Sequence, residues 1–142
     1  MTREEIQALV DRFVQAWAAE DIEALLACYD EQAELTSPLL HTQRGIEAIE
    51  HVHQDLFLAF ADVMTEVHDV VIDTVAQRAV LVITIHATQR GDFQGFPASG
   101  RKMANQSAFV FHFKDDRIIS ERRLYDYGGF LMQLGILKAR SV

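Results

Sequence analysis

The sequence predicts an α+β fold: three N-terminal helices packed on a strongly bent, mainly antiparallel sheet, with a short C-terminal helix and a cone-shaped space between the layers. Apolar residues recur at helical spacing through the first part of the chain. Val, Ile, Thr and aromatic residues then concentrate in four long runs, and most breaks between those runs are of hairpin length. Helices first and strands second place the helices on one face of the sheet.

Ile6, Leu9, Val10, Phe13 and Trp17 mark the buried face of a first helix over residues 3–19, opened by a Thr2/Glu5 capping box. Asp21 caps a short second helix whose Ile22, Leu25, Leu26 and Tyr29 share a face. The period then changes to two: Ala33, Leu35 and Ser37 alternate with Glu34 and Thr36 before Pro38, which predicts a short strand. Ile46, Ile49, Val52, Leu56 and Phe60 mark a third helix within residues 45–62. Four strands follow over 63–75, 78–91, 101–114 and 117–127, with tight connections at Ala76-Gln77 and Asp115-Asp116. The longer loop 91–100 carries Phe93, Phe96 and Pro97. Gly128-Gly129 ends the last strand, and Phe130, Leu131, Leu134 and Leu137 give the final helix its apolar stripe.

The 142 residues are 49% hydrophobic and 24% charged with 2 Pro and 7 Gly, which excludes a disordered chain and predicts one domain spanning residues 1–142. Thirteen basic against 21 acidic residues give a net charge of −8, opposite to what nucleic acid or an anionic membrane requires. The lone Cys28 suits a reducing compartment, so a cytoplasmic protein is expected. The N-terminus carries Arg3, Glu4 and Glu5 instead of an apolar leader, and the longest apolar runs are far too short to span a bilayer.

Three motifs add a family resemblance over nearly the whole chain. Arg44-Gly45-Ile46-Glu47-Ala48-Ile49 is similar to a Gly-x-x-Ala-Ile entry to the third helix. Residues 91–100, Gly-Asp-Phe-Gln-Gly-Phe-Pro-Ala-Ser-Gly, are similar to a Gly-x-x-x-Gly-x-Pro-Pro-Thr-Gly loop, with Ala98 and Ser99 replacing the second Pro and the Thr. Asp126 stands seven residues ahead of Gln133-Leu134-Gly135, matching the family's end. Together these resemble the SnoaL-like polyketide and ester cyclases of the nuclear transport factor 2-like superfamily, which have a cystatin-like cone fold. The resemblance implies that Asp126 is the acid/base of a cofactor-independent reaction. Burial in an apolar cone would raise a carboxylate's pKa enough for it to take a carbon-bound proton and return it to oxygen. The plain alternative is that Asp126 caps the last helix. Ketosteroid isomerases of the superfamily need an Asp and a Tyr where this chain has Ser37 and Phe13, so that chemistry is disfavoured. Limonene-epoxide hydrolase needs an Asp-Arg-Asp set, of which Asp126 with Arg122 or Arg123 mimics a part.

Other candidates follow from the residues. His86 lies on a strand and offers a partner for Asp126, whereas the Phe109, Phe111, Phe113 alternation turns His112 outward. Asn105 and Ser107 share the face of those phenylalanines and donate hydrogen bonds into the cone. Trp17 and Tyr29 supply polar handles on apolar helix faces. Tyr125 adjoins Asp126, and neighbours on a regular strand face opposite ways. Phe96 and Leu131 are expected over the cone, in two glycine-bearing segments, 91–100 and 128–137, that control access to it. His51 and His53, two apart on a helix, do not face each other, and no nucleotide, serine-hydrolase or zinc motif is present; no cofactor and no metal are expected. The reading is an acid/base enzyme acting on a small, mostly apolar carbonyl compound; its alternative is a non-catalytic binder of a small hydrophobic molecule. Val80, Val82 and Val110 on the outward sheet face favour a homodimer.

Overall fold

The computed structural model describes residues 1–138. Its element order is α1 (Arg3–Ala19), α2 (Ile22–Leu26), β1 (Tyr29–Ser37), β2 (His41–Arg44), α3 (Ile46–Ala59), β3 (Phe60–Asp73), β4 (Arg78–Gln89), β5 (Lys102–Lys114), β6 (Arg117–Tyr125) and α4 (Tyr127–Gln133). The capping box forms as the sequence requires: Thr2 accepts from the Glu5 backbone N–H while the Glu5 side chain accepts from the Thr2 N–H. Asp21 likewise caps α2.

Among the described residues six strands form one mixed sheet in the order β2-β1-β6-β5-β4-β3. Every neighbouring pair is antiparallel except β1 with β6, which run parallel with Leu35 opposite Glu121. The Lys114-to-Arg117 connection places both Asp115 and Asp116 at positive φ, 52° and 62°, the backbone that a two-residue hairpin needs to match strand twist. Strand alternation then decides the layers. Leu81, Ile83, Ile85 and Ala87 of β4 and Phe109, Phe111 and Phe113 of β5 are buried on the inner face, against Ile6, Leu9, Phe13 and Trp17 of α1. This is the α+β cone that the sequence predicts.

Several boundaries differ from expectation for local reasons. Helix α2 ends at Leu26, so Tyr29 opens β1 instead of closing a helix, and a register shift between Tyr29 and Glu34 lets that strand begin early. Strand β2 is short, polar and at the sheet edge, without the alternation that marks a half-buried strand. Helix α3 stops at Ala59 and passes directly into β3. Gly128 and Gly129 lie inside the first turn of α4, because the helix starts from the Asp126 cap rather than after the glycines. Among the described residues no helix is long and apolar enough to cross a membrane.

Candidate functional site

Between α1, α3 and the inner face of β4, β5 and β6 lies a cavity of about 70 Å3. Its walls are mostly apolar, with Trp17 from α1, Phe57 from α3, Ile85 from β4, Phe109 from β5 and Phe130 from α4. Five polar side chains interrupt them: Ser37, Asn105, Ser107, Arg123 and Tyr125. Alternation on β6 explains two of these, since Glu121, Arg123 and Tyr125 all project from its inner face.

Arg123 is the centre of a buried polar chain. Its Nε donates to Glu121 Oε2, and Tyr29 OH donates to the other oxygen of the same carboxylate. Its Nη2 lies 2.6 Å from His53 Nε2, while His53 Nδ1 lies 2.7 Å from the Ile49 carbonyl oxygen. A carbonyl can only accept, so Nδ1 carries the proton and Nε2 accepts from the guanidinium. Both bonds use the Nε–Nη2 edge of Arg123 and leave Nη1 on its other edge. The guanidinium carbon sits 5.1 Å from the Trp17 ring centroid and 5.2 Å from that of Phe109, an arrangement favourable to the cation.

Electrostatics fix the charge states of this chain. Burial, reinforced by the Arg123 charge, pushes the His53 pKa well below its ordinary range, so His53 is neutral. Burial and the Glu121 carboxylate push the Tyr29 pKa well up. Burial works against the charge of Arg123, but Glu121 and Tyr29 outweigh it and hold its pKa above the ordinary value. Burial also lifts Tyr125 to about 12, so its phenol keeps its proton at neutral pH. Trp17 Nε1 is buried and has no hydrogen-bond partner among the described residues. A buried donor left unpaired costs free energy unless a ligand or water supplies an acceptor.

The structure brings together Trp17, Asn105, Ser107 and Tyr125 of the residues singled out from the sequence. It separates the others from them. Asp126 is exposed outside the cavity and caps α4, accepting from the Gly129 N–H at 2.9 Å, so the desolvated setting expected for its carboxylate is not where it stands. Tyr125, not Asp126, faces the cavity, because β6 is regular there and ends at Tyr125. His86 points to the opposite sheet face, where its Nε2 is 3.6 Å from Glu66; its neighbours Ile85 and Ala87 take the inner face. Phe96 is 44% exposed and Phe93 lines the cavity in its place, since the two exchange backbone hydrogen bonds across a tight turn. Leu131 packs against the core without lining the cavity, and Tyr29 lies behind it in the Arg123 chain.

Sequence reasoning missed Arg123 as the cavity's charge, and with it Glu121 and His53. For His53 a signal was present: it follows Ile49 by four residues on the buried face of α3, a position weighed only for metal binding. Among the described residues no group of three His, Cys, Asp or Glu is placed to hold a metal ion.

The model of the SnoaL-like domain matches residues 10–121, and the chain belongs to that family. Among solved structures it is similar to TsrD from Streptomyces laurentii at 26% identity and a TM-score of 0.84, covering 96% of this chain and 99% of that one. It is similar in fold to AclR, described as a putative hydroxylase, from Streptomyces galilaeus, at 21% identity and a TM-score of 0.84, covering 96% and 100% of the two chains. A putative SnoaL-like polyketide cyclase from Jannaschia sp. CCS1 also shares the fold, at 19% identity and a TM-score of 0.85 over 95% and 94%. No curated protein matches the chain.

Proposed function

We propose that the cone binds a small, mostly apolar carbonyl compound and that the protein acts on it as a cofactor-independent enzyme of cyclase or isomerase type. The observation that carries this reading is the Arg123 guanidinium, held rigidly by Glu121 and His53 at the wall of an otherwise apolar cavity. A fixed cation in a water-poor site stabilises negative charge developing on a carbonyl oxygen far better than it would in water. The protonated phenol of Tyr125 and the unpaired Trp17 N–H offer further donors. Polarising the carbonyl acidifies the neighbouring C–H bonds, the first requirement of aldol closure.

A second reading is favoured by one observation: among the described residues lining the cavity there is no Asp, Glu or His to take a proton. On that reading the cone holds its ligand without turnover. Asp126 follows Tyr125 directly and is the carboxylate that the family resemblance points to, so Asp126→Asn is the informative variant. Asn caps a helix about as well as Asp but cannot act as a base. The test is deuterium exchange at the α-carbon of a small aliphatic ketone in D2O, followed by NMR, with binding read from the fluorescence of Trp17, the only tryptophan. Accelerated exchange that Asp126→Asn abolishes while binding persists makes Asp126 the base. Binding without exchange in the unaltered protein supports the holding function and rejects the enzyme. We further propose a homodimer formed through the outer sheet face, where Val80, Val82 and Val110 are half-buried and Leu124 is exposed.

A further inference from the structure

We infer that the ligand of the cone is a two-part molecule, with a compact carbonyl end inside and a larger, cationic end in a second cleft outside. The inference rests on the carbonyl-binding reading above and extends it to the rest of the molecule. Its first ground is size. Ligand pockets usually offer roughly 300–1,000 Å3, whereas the cavity offers about 70 Å3, room for only a fragment. Its second ground is continuity. A cleft of about 350 Å3 adjoins the cavity, and Leu39, Leu40, Leu56 and Phe93 line both spaces. The partition is therefore one layer of side chains thick.

The chemistry changes sign across that partition. Inside, Arg123 and the unpaired Trp17 N–H call for an acceptor. Outside, the lining adds Asp55 and Asp92, with Gln43, His51 and Gln94, and among the described lining residues it has no Lys or Arg. Among the described residues Asp55 has a single ion-pair partner at 3.5 Å, His51, and both are well exposed, so a ligand cation displaces little to reach it. Leu39 and Leu40 stand at the β1–β2 connection and Leu56 on α3, and a linear apolar segment is the link the inference requires between them. A carbonyl at one end, a cation at the other and a narrow aliphatic link between them satisfy both spaces at once.

The test uses methyl ketones of several chain lengths in three forms: ending in a trimethylammonium group, ending in a carboxylate, and unsubstituted. Binding is read from Trp17 fluorescence. The cationic ketone of best length should bind about fivefold or more tightly than its carboxylate analogue at low salt, and added salt should shrink the preference. Asp55→Asn with Asp92→Asn should abolish it and leave the unsubstituted ketone unaffected; both sites are on the surface, so folding is not at risk. Equal binding of the two charged ketones, or a preference that survives the double variant, overturns the outer subsite while leaving the carbonyl site standing. Failure of all three forms to bind overturns both.

Discussion

His53 connects the interior to the pH of the medium. In the unfolded chain its imidazole takes a proton near pH 6.5, but in the fold burial and the facing Arg123 charge hold its pKa well below that. The unfolded state therefore binds more protons as pH falls, so the stability present above pH 6.5 declines below it. The expected slope is up to about 1.4 kcal/mol per pH unit. Urea unfolding at pH 8 and pH 5.5 measures it, and His53→Gln should flatten the decline. Tyr29→Phe removes the donor to Glu121 and leaves a buried carboxylate oxygen unpaired, which should cost about 1–3 kcal/mol in the same assay. At this scale the sequence was readable where alternation was clean. Asn105 and Ser107 followed from the phenylalanines beyond them on β5. Arg123 did not follow, because a strand reading "SERRLYD" has no apolar rhythm to say which charged residue faces inward. The partners that make its burial tolerable, His53 and Tyr29, are 70 and 94 residues away in sequence.

The loop after β4 shows how an element can be tied down while looking mobile in sequence. Gln89 is buried and its side-chain amide donates to the carbonyls of Gly91 and Pro97, while Ser99 Oγ donates to its oxygen at 2.6 Å. Gly91 itself lies so close to the Leu58 carbonyl that an added Cβ would sit well inside 3.0 Å of it. Gly91→Ala should therefore destabilise by about 1–3 kcal/mol through overpacking, seen as a lower urea midpoint. We propose that any gating by residues 91–100 is confined to the span between those ties. Hydrogen exchange checks this: amides of Gln94 and Gly95 should exchange well before those of Val82 and Ile83, and Gln89→Ala should extend fast exchange to Gly100. Element identity was largely legible, since helices and long strands carry periods of 3.6 and 2 over many residues. The edge strand β2 was not, having four residues and no buried face to impose a pattern. The start of α4 was misplaced because two glycines read as a break, when the Asp126 cap makes them tolerable.

For the whole molecule, helices cover one sheet face and leave the other to solvent or a partner. Leu124 is 50% exposed there, opposite Ala108 on β5 and near half-buried Val82 and Val110. Sedimentation at micromolar concentration should give twice the 16.1 kDa of one chain, and Leu124→Arg with Val82→Arg should give a folded monomer. A monomeric unaltered protein rejects the dimer.

The parallel pairing of β1 with β6 also sets an order of events during synthesis. Strand β1 and the helices ahead of it are made early, yet the strand that flanks β1 on its inner side is the last of the sheet. At roughly 5–20 residues per second the stretch from Ser37 to Tyr125 takes on the order of ten seconds to make. Through that interval the apolar faces of α1 and β1 have no finished sheet to rest on, and one edge of β1 stays open to wrong partners. Arg123 arrives within that last strand, so the cavity's charge comes with the strand that joins β1 to the rest of the sheet, and only then does α4 add its wall. A nascent chain halted before β6 should therefore be prey to chaperones and proteases with no ligand able to rescue it.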